Sequence, residues 1–83
     1  MSLPRVVMYS RPSCGLCDEA REVILSQRKH TPFEFEEVNV ETDDALEIDY
    51  GIRIPVVLVD GYEAFEYRLD PTEFRTALVR KCI

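Results

Sequence analysis

Long apolar runs are missing from this sequence of 83 residues. The longest stretches, such as residues 56–59, fall far short of the roughly 18 residues that span a bilayer. Pro4, Arg5 and Ser10 interrupt the N-terminal segment, which a secretory signal would need to be apolar. We therefore expect no membrane partner and no export, and we place the protein in the cytoplasm.

Basic residues are scarce. Lysine and arginine number 10 against 16 aspartates and glutamates, so the formal net charge is −6. Because nucleic acids and anionic membranes are bound through clustered lysine and arginine, this balance argues against both as partners. Repeats, low-complexity tracts and Gly/Ser linkers are also absent from the sequence, while 46% of its residues are hydrophobic. The chain therefore predicts a single folded domain spanning residues 1–83, and we expect a monomer.

Cysteine occurs at only three positions, Cys14, Cys17 and Cys82. Small secreted domains held together by disulfides carry a larger and even number of cysteines, so this odd count with uneven spacing does not fit one. In a reducing cytoplasm, a C-x-x-C pair such as Cys14 and Cys17 is typical of a catalytic or metal-binding site rather than of a structural crosslink.

Hydrophobic periodicity and turn residues predict a mixed series of elements. They are a strand buried on both faces at 5–9, a helix from 15 to about 29, a strand from 33, a short helix starting at 42–44, a buried strand at 54–59, a returning strand at 62–67 and a helix opened by 70–73. The order β-α-β-α-β-β-α predicts an α/β fold, with a parallel βαβ unit followed by an antiparallel hairpin and a covering helix. Together these elements give a four-stranded mixed sheet with helices on both faces.

Local signals refine this layout. The second strand changes its phase of alternation, which predicts a bulge or the end of the strand near Glu37. Gly51 is placed to end the short helix in a left-handed conformation. Asp60-Gly61 is typical of a tight hairpin turn, and Asp70 precedes a proline as the cap of the last helix.

The cysteine pair falls where the loop after the first strand turns into the first helix. There Cys14 would face unpaired backbone N–H groups and the positive end of the helix dipole, both of which favour thiolate over thiol. We therefore predict that Cys14 is an exposed nucleophile. Cys17 lies one helical turn later on the same side, within reach of a disulfide, so it would resolve the mixed disulfide formed by Cys14. Arg11 adds a positive charge shortly before the nucleophile.

Other interpretations of the pair compete with this one. A closed zinc site needs a second pair of ligands, but the remaining Cys82 and His30 each stand alone in the sequence. An iron–sulfur cluster shared by two subunits needs only the two thiolates of each chain, so a cluster-binding dimer is an alternative. A redox-inactive interaction domain is another. The residues favour a dithiol redox site, with no metal and no resident cofactor.

Two segments carry a resemblance to a known family. Residues 9–17, Y-S-R-P-S-C-G-L-C, resemble the active-site segment of glutaredoxins, in which an aromatic strand end and a lysine or arginine precede C-x-x-C. Residues 50–56, Y-G-I-R-I-P-V, are similar to the thioredoxin-superfamily segment in which a proline opens the third strand. With the predicted elements between them, the resemblance covers essentially the whole chain and implies a thioredoxin-like fold.

The resemblance also implies a substrate site. Pro55 would be a cis proline packed against the cysteines, and the backbone of Ile54 would then pair with an extended substrate. Arg11, Ile54 and Pro55 are thus the implied substrate-binding residues beside the catalytic Cys14 and Cys17. The implied activity is that of a thiol–disulfide oxidoreductase, which reduces protein or low-molecular-weight disulfides.

Two departures from the usual patterns place the chain in a peripheral glutaredoxin-like subfamily. Gly-Leu separates the cysteines, where typical glutaredoxins have Pro-Tyr and thioredoxins have Gly-Pro. The Gly-Gly that cradles glutathione before the last helix of glutaredoxins is replaced by residues 66–70, E-Y-R-L-D, in which only Asp70 matches. The electron donor is therefore expected to be either glutathione, as a co-substrate, or a thioredoxin reductase.

Overall fold

Strands and helices follow one another in the predicted order. The computed structural model describes residues 3–81, and within that range the elements are β1 (Arg5–Ser10), α1 (Gly15–Arg28), β2 (Glu34–Asn39), α2 (Asp44–Tyr50), β3 (Val56–Val59), β4 (Tyr62–Glu66) and α3 (Pro71–Lys81). A 3₁₀ turn at Val40–Thr42 joins β2 to α2. None of the helices in this range combines the length and apolar character needed to traverse a membrane. The architecture is the α/β arrangement that the sequence predicts.

The sheet has the strand order β2-β1-β3-β4. β1 runs parallel to β2, with Ser10 opposite Asn39 at its end. β3 runs antiparallel to β1, with Tyr9 paired to Val56, and β4 runs antiparallel to β3. The sheet is therefore mixed, and the parallel βαβ unit and the antiparallel hairpin are both confirmed.

α1 and α3 pack on one face of the sheet because each has an apolar stripe. In α1, Cys17, Ala20 and Ile24 are buried, whereas Leu25, which lies outside the apolar arc, is 43% exposed. The core between these helices and the sheet consists of Val6, Met8, Ala20, Ile24, Phe33, Val57, Val59, Leu69, Phe74 and Leu78. Burial of this cluster is the main stabilising contribution, since removing apolar surface from water contributes roughly 25 cal/mol per Å².

α3 begins as the sequence predicts. The carboxylate of Asp70 accepts a hydrogen bond from the Glu73 N–H at 3.0 Å, and a proline occupies the first helical position. Phe74 and Leu78 are fully buried on its inner side. The predicted inner position of Cys82 lies outside the described residues.

α2 covers the opposite face of the sheet, but only in part. The Tyr50 ring of α2 stacks on the Tyr9 ring of β1, with centroids 4.3 Å apart and planes 7° from parallel. The sequence predicts β1 to be buried on both faces, yet Val7 and Tyr9 are only half-buried. That part of the prediction is wrong because a helix of seven residues is too short to cover the strand along its whole length.

The hairpin between β3 and β4 turns at Asp60 and Gly61, as predicted. Both residues have positive φ, 51° and 87°, which is the conformation that a two-residue type I′ turn requires. β3 begins at Val56 rather than at residue 54, because Pro55 has no N–H to donate to a neighbouring strand. β4 ends one residue before its predicted end, since Tyr67 turns the chain with φ 67°.

β2 has no bulge, so that alternative of the prediction near Glu37 is wrong; the strand ends at Asn39, two residues later. Its register with β1 is unbroken, and Glu37 stands opposite Met8, on the face that α1 covers. Arg21 of α1 donates to both oxygens of this carboxylate, at 2.7 and 2.6 Å, and the Ser10 hydroxyl donates to it at 2.8 Å. The alternation of apolar and polar residues changes phase because Glu37, on the side that faces α1, is a paired carboxylate instead of an apolar residue. The hydrogen-bonding register with β1 does not change there.

This ion pair lowers the pKa of Glu37. The hydrogen bonds from Arg21 are the largest cause; burial opposes them and Ser10 reinforces them. The pKa of Arg21 is raised, mainly by the same hydrogen bonds. A carboxyl group whose pKa is lower in the folded chain stabilises the fold above its unfolded pKa, and this contribution is lost as the pH falls through the folded value.

α2 starts at the predicted cap but ends differently. The Asp43 carboxylate accepts a hydrogen bond from the Ala45 N–H at 2.8 Å. Gly51 has a right-handed φ of −54°, so the predicted left-handed stop is wrong. What Gly51 provides is space: a Cβ there would collide with the carbonyl oxygen and carboxylate of Glu47 and would lie 3.0 Å from the Arg11 guanidinium.

We expect Gly51→Ala to destabilise the protein by about 1–3 kcal/mol, because the added methyl group must displace backbone and two charged side chains. Gly15→Ala is the matched control. A Cβ at Gly15 meets no atom within 4 Å, so this substitution in α1 should be neutral or slightly stabilising. Urea denaturation of both variants measures the free energy of unfolding. Equal stability of the two variants would show that space at Gly51 is not limiting.

We expect Glu37→Gln to lower the free energy of unfolding by about 1 kcal/mol at pH 7, since the amide keeps the size of the side chain but weakens its charge-assisted hydrogen bonds. The loss should shrink as the pH falls through the lowered pKa of Glu37, where the native carboxylate is itself protonated. The control, Glu36→Gln, alters an exposed neighbour paired with Arg5 and should change stability by about 0.3 kcal/mol or less. Denaturation at neutral and acid pH checks both variants; a loss independent of pH contradicts the ion-pair explanation.

Candidate active site

The loop after β1 places Cys14 at the N-cap of α1. Ser13 has φ 59°, which turns the chain just before the helix. Cys14 itself is extended, with φ −107° and ψ 109°, and its Sγ accepts a hydrogen bond from the Cys17 N–H at 3.2 Å. A sulfur atom thus takes the position that a serine, threonine or aspartate oxygen occupies at most helix N-caps. As the sequence predicts, this sulfur faces the positive end of the helix dipole.

Cys17 occupies a different environment one turn later. Its side chain is fully buried, while Cys14 is half-buried, where the sequence predicts an exposed residue. Both are free thiols. Burial, followed by the hydrogen bond with Cys14, raises the pKa of Cys17 to about 12, against a smaller opposing effect of a hydrogen bond from the Arg11 backbone. The two sulfurs are therefore adjacent but unequal: Cys14 reaches the surface, and Cys17 stays protonated at neutral pH.

Arg11 directs its guanidinium group to α2. Its Nη2 donates to the Glu47 carboxylate and, at 2.8 Å, to the Gly51 carbonyl oxygen, while its Nη1 lies 3.8 Å from the Glu41 carboxylate. These contacts tie the loop that carries Cys14 to α2. Substrate binding by Arg11 stays a prediction, and it would require the guanidinium group to leave these partners.

Ile54 and Pro55 lie where β3 begins. The peptide bond between them is cis, which confirms what the resemblance implies, and Pro55 is fully buried. Val56, the next residue, pairs with Tyr9, so the segment stands beside the end of β1, from which the cysteine loop departs. The Pro55 carbonyl oxygen accepts a hydrogen bond from the Tyr67 N–H at 2.9 Å. Contact of Pro55 with the cysteines and pairing of Ile54 with a substrate stay predictions.

A groove of about 330 Å³ opens between the first turns of α1 and the segment that leads into α3. It is lined by Leu16, Glu19, Ala20, Val23, Tyr67, Arg68, Leu69, Asp70 and Pro71. Leu16, which stands between the two cysteines in the chain, lines the groove, whereas the cysteines themselves do not. Sequence reasoning singled out only Asp70 among these residues, because the groove is formed by two segments that are remote from each other in the chain.

The network of Glu37, Arg21 and Ser10 also adjoins the site, and sequence reasoning missed it. Arg21 lies one turn after Cys17 on α1, and the negative charge of Glu37 contributes to the raised pKa of Cys17. Asp18 accepts a further hydrogen bond from Arg21 at 2.8 Å. The signal in the sequence is the change in the alternation of apolar and polar residues at Glu37. Such a change indicates either a bulge or a carboxylate that faces inward and is paired with a basic side chain.

Metal ligands are not gathered into a cluster anywhere in residues 3–81, where no three His, Cys, Asp or Glu side chains lie close enough together to hold a metal ion. At this site, the described residues offer the thiols of Cys14 and Cys17. Two thiolates are what a cluster-sharing dimer would need from each chain. That alternative stays a prediction.

Residues 5–79 match the family described as "Glutaredoxin-like domain (DUF836)". In three dimensions the chain is similar to protein Ne2328 of Nitrosomonas europaea, with 28% sequence identity, coverage of 94% of both chains and a TM-score of 0.81. It is also similar to the structural genomics target protein XcR50 of X. campestris, with 33% identity, coverage of 90% of this chain and 96% of that chain, and a TM-score of 0.73.

A thioredoxin of Fasciola hepatica shares the fold. The two sequences are 24% identical, and the alignment covers 95% of this chain and 81% of the thioredoxin, with a TM-score of 0.65. At this level of identity the similarity establishes the fold alone, so the β-α-β-α-β-β-α arrangement is a thioredoxin fold. Because the family match spans nearly the whole described chain, the chain belongs to the glutaredoxin-like domain (DUF836) family.

Proposed function

We propose that this protein is a thiol–disulfide oxidoreductase that reduces protein or low-molecular-weight disulfides, with Cys14 as the nucleophile and Cys17 as the resolving thiol. One observation carries the proposal: two free thiols lie one helical turn apart at the start of α1, with the Cys14 Sγ at the N-cap, 3.2 Å from the Cys17 nitrogen. Membership of a glutaredoxin-like family supports it.

In the first step the thiolate of Cys14 attacks one sulfur of the substrate disulfide. The substrate S–S bond breaks, the departing sulfur leaves as a thiolate and takes a proton from water, and Cys14 remains joined to the other substrate sulfur. In the second step Cys17 loses its proton to solvent and its sulfur attacks Cys14. The second substrate sulfur leaves and is protonated, and a disulfide between Cys14 and Cys17 remains. Two electrons have then passed from the protein to the substrate.

The environment of Cys17 sets the order of these steps. Its raised pKa keeps the buried thiol protonated at first, which leaves Cys14 as the attacking group. Part of the rise comes from the hydrogen bond and the charge of Cys14. A Cys14 sulfur that has entered a mixed disulfide carries no such charge. We therefore expect the pKa of Cys17 to fall once the mixed disulfide has formed, so that resolution follows attack.

The substrate would lie across the start of β3 and the groove beside α1. Ala20, Val23 and Leu69 give the groove an apolar lining that suits an apolar side chain next to the substrate disulfide. The exposed Arg68 adds a positive charge at the same groove. Together with the backbone of Ile54, these groups would orient an extended segment of a substrate protein.

Two electron donors fit the return of the protein to its dithiol form. Glutathione, as a co-substrate, would do so by two successive exchanges that release oxidised glutathione, and a thioredoxin reductase would do so by direct exchange with its own dithiol. Coupled assays with a peptide disulfide and each donor system alone distinguish the two. Turnover with one system assigns the donor; turnover with neither contradicts a catalytic cycle based on these donors.

We expect Cys14 to be alkylated first. When the reduced protein is treated with iodoacetamide at neutral pH, Cys14 should react about tenfold faster than Cys17 or more, because Cys17 is buried and its pKa is raised to about 12. Mass mapping of peptides over time assigns the label. Urea-unfolded protein, in which the thiols should react alike, is the control. Faster reaction at Cys17 or Cys82 would make the assignment of the nucleophile wrong.

We expect Cys17→Ser to accumulate a mixed disulfide between Cys14 and the substrate, because the second step then lacks its attacking sulfur. Mass spectrometry after exposure to an oxidised peptide detects the adduct. Cys14→Ser keeps only the buried thiol of the pair and should form about a tenth of the adduct or less; Cys82→Ser should behave like the unaltered protein. If Cys17→Ser turns over the substrate at the full rate and carries no adduct, the dithiol mechanism is contradicted.

A further inference from the structure

Two isoleucines project from α2 and from the turn that follows it. Ile48 is 80% exposed and Ile52 is 89% exposed, more than any other large hydrophobic side chain in the described part of the chain; the next is Tyr62 at 67%. Ile52 follows Ile48 at the i+4 spacing, and the chain between them stays right-handed, so both project from the same side. We refer to this side, together with Asp44 and Asp49, as the outer face of α2.

α2 is attached to the protein through its other side. Tyr50 stacks on Tyr9, and the Glu47 carboxylate accepts a hydrogen bond from Arg11. Ile48 is not needed to form the helix, since β-branched residues lose rotamer freedom in helices and alanine, glutamate or lysine is more favourable there. Ile52 lies beyond the end of the helix at Tyr50. The apolar character of the outer face therefore needs a reason outside the fold of the chain itself.

Carboxylates flank the two isoleucines. Asp44 lies one turn before Ile48 and Asp49 lies directly after it, and both are exposed. Neither carboxylate forms an ion pair with a side chain that the structure describes. A second copy of the chain would bring like charges together, in a protein whose net charge is already −6. A partner with basic groups around an apolar side chain would complement this face instead.

We propose that the outer face of α2 docks the protein that carries the substrate disulfide, through a partner surface on which arginine or lysine side chains surround an apolar residue. The proposal rests on the proposed oxidoreductase function and names its substrate class. Continuity with the candidate active site supports it, because Ile52 lies two residues before Ile54, at the edge of the sheet where the cysteine loop departs. A protein seated on α2 would hold its disulfide near Cys14, whereas a small disulfide would gain nothing from this face.

The test uses two synthetic peptides with the same intramolecular disulfide, one extended by Arg-Leu-Arg and the other by Glu-Leu-Glu. The pre-reduced protein should reduce the arginine peptide about tenfold faster at low salt, and high salt should diminish this advantage. Because a chain with a net charge of −6 attracts any cationic peptide, the decisive comparison is between variants. In Ile48→Ser/Ile52→Ser, the rate with the arginine peptide should fall about fivefold, while reduction of a small aromatic disulfide stays unchanged.

Leu25→Ser/Val79→Ser is the matched control. It removes two hydrophobic side chains that are 43% and 49% exposed on other helices, and it should leave both rates unchanged. The unfolding midpoint of each variant verifies that it is folded. An unchanged peptide rate in Ile48→Ser/Ile52→Ser, or an equal fall in the control variant, overturns the docking proposal.

A cysteine-free version of the arginine peptide separates this proposal from the proposed function. In an NMR titration it should shift the amide signals of Ile48 and Ile52 whether or not the protein acts as a reductase. Absence of these shifts overturns docking, whereas failure to reduce the small disulfide overturns the oxidoreductase proposal alone. Sedimentation that reveals a dimer, dissociated by Ile48→Ser/Ile52→Ser, would assign the face to a second copy and would also overturn docking.

Discussion

The antiparallel pairing of β1 with β3 is the constraint on which the candidate active site depends. Tyr9, near the end of β1, pairs with Val56, the first residue of β3. In an antiparallel pair the end of one strand lies beside the start of the other. The loop that leads to Cys14 and the segment that contains Pro55 therefore share one edge of the sheet, although about 40 residues separate them in the chain. Without this strand pairing, the cysteine pair and the Pro55 segment would not lie at the same end of the sheet.

Packing of α1 on the sheet gives the two thiols their different properties. Ala20 and Ile24 are buried against β1 and β3, which turns one side of the helix inward and carries Cys17 into the interior with them. A buried thiol packs as a small apolar residue. Because water cannot solvate a buried thiolate, burial also disfavours its ionisation. Cys14 lies at the N-cap, before the inward side of the helix begins. The two thiols are therefore only one helical turn apart, yet Cys14 is surrounded by the helix N-terminus and Cys17 by the hydrophobic core.

The elements that could be predicted from the sequence are those whose signals are local. Helix caps at Asp43 and Asp70 are formed by hydrogen bonds to backbone N–H groups two or three residues later. The turn at Asp60 is defined by the dihedral angles of two adjacent residues. The residue types alone therefore indicate these features. Glu37 and Gly51 were misinterpreted for the opposite reason. Glu37 is explained by Arg21 of α1, a remote partner that no local pattern contains. The atoms nearest to a Cβ at Gly51 belong to Glu47, one turn earlier, but the carboxylate among them is paired with Arg11 of the cysteine loop, which is remote in the chain.

The same limit applies to the candidate active site. The spacing of Cys14 and Cys17 indicates a dithiol at a helix start, because both residues belong to one turn of one helix. The destination of the Arg11 guanidinium could not be predicted, since a long side chain close to Cys14 in the chain can reach either a bound molecule or a neighbouring element. In the structure it reaches Glu47 and Gly51 of the α2 region. Charge near a nucleophile in the sequence is therefore weaker evidence for substrate binding than the cysteine spacing is for redox chemistry.

α2 connects the cysteine loop with the outer surface of the protein. A partly exposed ion pair such as Arg11–Glu47 contributes only about 0–1 kcal/mol, so the stack of Tyr50 on Tyr9 is a substantial part of the attachment of α2. The ring stack depends on shape and apolar area, which salt does not screen, whereas attraction between the carboxylates of the outer face and the proposed basic partner would be screened. Salt should therefore weaken the proposed docking more than it weakens the stack that holds α2 to β1, and with it the loop that carries Cys14.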